Sequence, residues 1–259
     1  MDKNKIKIIL ACFILVVAII LRLVLYNDNS TQDDSKSNIK YFFIDNYVAF
    51  SYKNNGIKYL SYEDGEILKN KFNVYSDGNY LGNYYVRKLS SGLKLLDDNN
   101  DFINYDGYLI GSSYYDSTRV SKLNIDSNIL GASSYANDIL KKEGISSVYN
   151  AQVNSFMRYS ADFNGDGLDE YIYILSSNPL TNDIGYSIMF TRENNEYKTI
   201  SKEIDKINEG YQLTIVGILD LNDDNQLDIV VAKSKFGHDI ECYEIYKSNN
   251  MNFKLLKGC

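Results

Sequence analysis

Asp162-Phe-Asn164-Gly-Asp166-Gly-Leu168-Asp169-Glu170 runs directly into Tyr171-Ile-Tyr-Ile-Leu175. The same arrangement returns as Asp220-Leu-Asn222-Asp-Asp224-Asn-Gln226-Leu-Asp228, running into Ile229-Val-Val-Ala232. Each acidic segment places oxygen-bearing side chains at positions 1, 3, 5 and 9. Each is followed by a short apolar run rich in β-branched and aromatic residues, the pattern of a buried strand. A further such run, Leu213-Thr-Ile-Val-Gly-Ile-Leu219, precedes the second segment, so the repeating unit reads as strand, acidic loop, strand.

The spacing suits a hard divalent cation. Calcium takes roughly six to eight oxygens at about 2.3–2.6 Å, and only alternate residues of a curled segment can point inward together. In the first loop Asp162, Asn164 and Asp166 offer side-chain oxygens, Leu168 its main-chain carbonyl and Glu170 a closing carboxylate. In the second the corresponding ligands are Asp220, Asn222, Asp224, the Gln226 carbonyl and Asp228. Position 6 must turn sharply, and Gly167 and Asn225 are the residue types that accept positive φ most easily. An EF-hand needs a Glu at position 12 and flanking helices, whereas here position 12 is Tyr173 or Val231 inside a strand. Asp, Asn and Gly also favour plain turns between strands; two complete matches, each with the same strand after it, favour calcium. A third stretch, Asp97-Asp-Asn99-Asn-Asp101, begins the pattern but has Phe102 at position 6 and Tyr105 at position 9, and reads as a polar turn or a decayed repeat.

The unit resembles the FG-GAP or VCBS repeat, the β-propeller blade of integrin α-chain heads and of many bacterial surface proteins. The resemblance rests on 162–175 and 219–232 and, with the surrounding strands, extends over about residues 155–259. It departs from the family in having Asn225 where the second loop would carry glycine, and in lacking a Phe-Gly-Gly-Ala-Pro-like segment. It implies an all-β, propeller-like domain with calcium-loop repeats, in which residues 39–154 form degenerate early blades. The 58-residue spacing of Asp162 and Asp220 gives only about four blades at this repeat length, the low end for propellers. An N-terminal β-meander packed on a partial propeller is the alternative.

Other strand signals agree. Tyr47 to Tyr52 and Ile57 to Tyr62 flank Asn55-Gly56, a hairpin signal, and Tyr84 to Leu89 and Leu93 to Leu96 read as strands. One helix is expected, Tyr135 to Glu143, with Ser134 as N-cap and Gly144 as stop.

The amino terminus bears on location. Residues 8–26 are apolar except for Arg22, and as a helix they would be about 28 Å long, close to the bilayer's hydrocarbon thickness. Lys3, Lys5 and Lys7 precede this stretch, and a polar linker, residues 27–38, with Asp28, Asp33 and Asp34 follows it. The positive-inside tendency then makes residues 1–7 cytoplasmic and everything after the span extracytoplasmic. Arg22 sits near the outer end, where it can snorkel. A cleaved signal peptide would have a shorter apolar core and small residues at a cleavage site, and a lipoprotein reading of Cys12 puts the long apolar run on the wrong side. The expectation is a single-pass signal anchor in the cell membrane.

Charge narrows the partners. The chain carries −7 overall, and the +3 of its first 26 residues leaves −10 for the remainder. Such a surface disfavours nucleic acid, whose phosphates need a basic one. Cys242 and Cys259 flank a hairpin pattern that could bring their sulfurs together in an oxidising exterior; free thiols are the alternative.

Little in the sequence points to catalysis. The single histidine, His238, stands beside Asp239 with no nucleophile indicated, and no His or Cys group suggests catalytic zinc. The 24 tyrosines invite a sugar-stacking reading, but scattered along strands they fit half-buried sheet surfaces as well. The sequence thus leads to a membrane-anchored calcium-binding β-domain that binds an envelope polymer or a surface protein. The rival is an envelope hydrolase with structural calcium.

Overall fold

The run Ile229-Val-Val-Ala232 is apolar without interruption because its sheet lies between two others, so side chains that alternate across the strand meet a core on either face. Ile229 and Val231 enter one core, Val230 and Ala232 the other. The computed structural model describes residues 39–113, 119–128, 132–145, 153–177, 184–193, 196–206, 211–235 and 238–258, all within the compact unit Ile39–Cys259. The predicted span and linker lie outside these residues. Among the described residues no helix is long and apolar enough to cross a membrane.

The described chain is mostly strand and forms three antiparallel sheets, none closed into a ring. The first contains β1 (Lys40–Ile44), β2 (Val48–Lys53), β3 (Gly56–Leu60), β4 (Phe72–Ser76), β5 (Asn79–Leu89), β6 (Gly92–Leu96), β7 (Phe102–Ile103) and β8 (Leu109–Ser113), in the order β3-β2-β1-β8-β4-β5-β6-β7. The second is the meander β9 (Asn124–Asp126), β10 (Val153–Ala161), β11 (Glu170–Ser177), β12 (Ile184–Glu193) and β13 (Glu196–Lys206), in the order β13-β12-β11-β10-β9. The third is the meander β14 (Tyr211–Leu219), β15 (Asp228–Lys235), β16 (Ile240–Lys247) and β17 (Lys254–Lys257). Residues 39–113 thus make one continuous sheet, with β8 inserted between β1 and β4.

The third sheet is the middle layer. Toward the second sheet it packs Leu213, Ile215, Ile229 and Val231 against Tyr159, Ile172, Ile174 and Met189. Toward the first it packs Val216, Leu219, Val230 and Ile245 against Phe42, Ile44, Phe50 and Ile110. Both outer faces are covered. Ile139 and Leu140 of the helix Ala132–Lys142 pack on Tyr173, Leu175 and Phe190 of the second sheet. The first sheet curls over its own outer face: β5 pairs with β4 through Tyr84 and with β6 from Tyr85 onward. Leu93 N–H then donates to Asn46 Oδ1 at 2.8 Å, across the sheet. A buried leucine or isoleucine in these layers contributes roughly 1.5–3 kcal/mol by leaving water, which makes the layering the main source of stability.

Two local expectations shift by one to three residues. The β2–β3 hairpin turns on Asn54 and Asn55, both with positive φ, and Gly56 is already paired with Lys53; this is the two-residue turn whose twist matches the strands. The helix begins at Ala132, so Ser134 lies inside it, and Gly144 has a φ of +77° at its end as expected. Cys242 on β16 is disulfide-bonded. The register of β17, Lys257 opposite Ile245, carries the chain end back along β16 toward it; the expected partner Cys259 lies outside the described residues.

Candidate metal centre

Both acidic loops connect adjacent antiparallel strands at the same register. The first joins β10 to β11 with Ala161 opposite Glu170; the second joins β14 to β15 with Leu219 opposite Asp228. In each, the residue before position 1 therefore faces position 9, and the loop is closed by the ladder itself.

The loops also share their backbone and hydrogen bonds. Position 6 has positive φ in both, +90° at Gly167 and +64° at Asn225, as the sequence predicts. Position 4 does too, +80° at Gly165 and +58° at Asp223, which the ligand pattern did not signal. The position-9 carboxylate accepts the N–H of position 2: Phe163 to Glu170 Oε2 at 2.8 Å, Leu221 to Asp228 Oδ2 at 3.0 Å. The position-5 carboxylate accepts the N–H of position 7: Leu168 to Asp166 Oδ1 at 2.8 Å, Gln226 to Asp224 Oδ1 at 3.0 Å. The position-1 carboxylate gathers N–H groups from its own loop, those of Gly165, Asp166 and Gly167 on Asp162 and those of Asn222 and Asn225 on Asp220. Asn164 and Asn222 each donate Nδ2 to Oδ2 of the position-5 aspartate.

Oxygens converge most closely in the first loop. Among the described residues, Asp162, Asp166 and Glu170 are the one acidic trio whose ligand atoms lie within 4.8 Å of one another. In the second loop Asp228, one methylene shorter than Glu170, gives its other oxygen to Ser248 N–H at 2.7 Å. Asn222 Oδ1 in that loop, and Ser248 Oγ in the turn after β16, are buried without hydrogen-bond partners. Of the expected carbonyl donors, Leu168 exposes its side chain and Gln226 Oε1 reaches Asn250 N–H at 2.5 Å. The Asp97 stretch is a turn between β6 and β7, where Asp97 Oδ1 accepts from Asn99 and Asp101 N–H.

Three of the loop carboxyls are raised from their ordinary values. Burial pushes Asp228 up to about 7, with Asp224 and Asp220 adding to the rise and the Ser248 and Leu221 N–H groups opposing it. Asp220 is raised for the same leading reason. Burial also raises Glu170, with Asp166 and Asp162 adding. Carboxylates held together in a desolvated place resist ionisation unless a cation compensates them. Hard oxygen donors such as these suit hard divalent cations better than softer metals.

The two loops touch, a feature hidden in the sequence by their 58-residue separation. Leu227 N–H donates to Phe163 O at 2.8 Å. Arg119, from a stretch with no motif to mark it, donates to Asp162 Oδ2 at 2.6 Å and to Asn225 O at 2.9 Å.

Elsewhere, Tyr47, Tyr59, Tyr62, Glu63, Lys88 and Tyr243 line an open groove of 470 Å³ between the first and third sheets. A buried ion cluster joins Lys233 to Glu203 at 2.6 Å and to Glu244 at 3.3 Å, with Tyr246 donating to Glu244 at 2.5 Å. His238 is exposed. Comparison of the chain with family models, curated proteins and solved structures finds no match.

Proposed function

We propose that the protein is a calcium-stabilised β-domain, held outside the cell membrane by residues 8–26, and that it acts as a binding module for an envelope polymer or a surface protein. Its two loop-bearing sheets are read as blades of the FG-GAP or VCBS kind, since each is a meander of strands with an acidic loop between its leading long strands. The observation that carries the reading is the likeness of the two loops: same register, same positive-φ positions, and the same main-chain hydrogen bonds to the carboxylates at positions 5 and 9, with three carboxylates converging in the first.

Binding is favoured over hydrolysis by the groove between the first and third sheets. The groove is open and tyrosine-rich, and two of its phenols are tied to main-chain carbonyls, Tyr59 to Tyr243 O and Tyr243 to Tyr47 O. Such rings are fixed platforms, suited to stacking.

Thermal denaturation with calcium and with chelator tests the reading. At calcium ten times above the dissociation constant each site adds about 1.4 kcal/mol by mass action. Asp166→Ala and Asp224→Ala should each remove part of the stabilisation and together most of it. A melting temperature indifferent to calcium, with no metal retained in equilibrium dialysis, reduces both loops to turns.

A further inference from the structure

We propose that the tyrosine-lined groove between the first and third sheets holds an uncharged glycan chain. The inference rests on the binding-module reading above and narrows it to one class of polymer; no residue of the acidic loops lines this groove.

Three segments far apart in the chain meet there. The turn before β2 supplies Tyr47, β3 supplies Tyr59 and β16 supplies Tyr243. The three are tied in series: the Tyr59 phenol donates to Tyr243 O at 2.6 Å, and the Tyr243 phenol donates to Tyr47 O at 2.9 Å. Both bonds cross the seam between the sheets. A ring held at its Cα and again at its phenol oxygen is fixed before a ligand arrives, so stacking on it costs little further ordering. Burial pushes both phenols up to about 12, which keeps them neutral donors, and each oxygen retains acceptor capacity for an incoming hydroxyl. Tyr47 is the most open of the three, 40% exposed.

The polar groups around these rings select the ligand. Lys88 is exposed; it donates to Asn46 O at 3.2 Å and lies over the Tyr62 ring at 5.1 Å. An ammonium has three N–H donors, so donors remain for a ligand. Glu63, also exposed, is a second lining residue from the first-sheet side. On the third-sheet side Glu241 is held by the Tyr211 phenol at 2.9 Å and by Lys235 at 3.3 Å. Donors and acceptors therefore flank aromatic rings, an arrangement that sugar hydroxyls, each both donor and acceptor, satisfy while the C–H face of the sugar ring stacks on tyrosine. The two glutamates and the chain's acidic balance disfavour an anionic polymer, and Lys88 disfavours a polycation. A protein partner needs an apolar centre to its patch, whereas Val48 and Ala49 in this groove are buried. The volume of 470 Å³ falls within the range of small-ligand sites, about 300–1,000 Å³, and the open form lets a chain run on beyond it.

Calorimetric titration of the full chain in detergent with chitohexaose, cellohexaose and maltohexaose tests the inference, with polygalacturonate as the acidic control. At least one uncharged hexaose should bind. Tyr47→Ala should weaken that binding by about fivefold, and the pair Lys88→Met with Glu63→Gln should weaken it as well. All three positions are exposed, so the variants should melt with the wild type. Binding of no uncharged hexaose, binding of polygalacturonate alone, or binding unchanged in both variants overturns the glycan assignment. Sedimentation with cell envelopes then separates this failure from that of the wider reading. Retention that protease digestion of the envelopes abolishes leaves a binding module whose partner is a protein, and no retention before or after digestion removes the binding-module reading too.

Discussion

A Cβ added to Gly165 would stand 2.4 Å from Nδ2 of Asn225 and 2.7 Å from its carbonyl oxygen. Position 4 of the first loop and position 6 of the second therefore share one close contact, and the absent side chain is what lets the loops approach. Gly167, two residues on, has nothing within 4 Å of its virtual Cβ, although its φ is equally left-handed. Gly167→Ala should cost only the backbone strain of about 1–2 kcal/mol, while Gly165→Ala adds a main-chain clash and should cost roughly twice as much. Urea denaturation of the two variants checks the order; equal losses would mean that the loops part without penalty.

Asp228 makes stability depend on pH. A free aspartate titrates near 4, whereas the buried carboxyl is pushed up to about 7. Between those values the folded chain keeps a proton that the unfolded chain releases. The contribution is complete below pH 4 and is lost as pH rises through 7, at up to about 1.4 kcal/mol per pH unit. Calcium requires the ionised carboxylate, so its stabilising effect should grow over the same window. Denaturation in chelator at pH 5.5 and pH 8 should show the cation-free protein weaker at the higher value, with a larger calcium rescue there. Asp228→Asn should flatten the chelator profile, and an unchanged slope in that variant would assign the effect elsewhere.

The Lys233 cluster supplies a prediction independent of calcium. Burial alone would lower this lysine, but Glu203 and Glu244 overcome it and hold it raised. Lys233→Met leaves two carboxylates facing each other in a place little exposed to water, and should destabilise by about 3 kcal/mol. Adding Glu244→Gln should recover part of the loss. A single variant as stable as wild type would show that water already screens the cluster.

Topology is open to a direct test on cells. Lys3, Lys5 and Lys7 before the apolar run set the expected orientation, so protease added to intact cells should remove the β-domain and leave a membrane-bound stub. Digestion only after lysis reverses the orientation. Recovery of the domain from the medium with a new amino terminus near Asn27 makes the apolar run a cleaved signal.

The sequence alone determined what is local. The 1, 3, 5, 9 pattern located both loops, the glycine and asparagine at position 6 marked where the backbone turns left-handed, and the runs after Glu170 and Asp228 marked strands, because each of these is a matter of neighbouring residues. The uninterrupted apolar stretch 229–232 even carried the fact of two-sided burial. Only the tertiary structure decided which sheets cover those faces, that β8 joins β1 to β4 in a single eight-stranded sheet, and that the two acidic loops lie together under Arg119. It alone revealed the left-handed turn of Asp223 and the orphaned oxygens of Asn222 and Ser248. These depend on packing between segments far apart in the chain, where no residue's type or spacing names its partner.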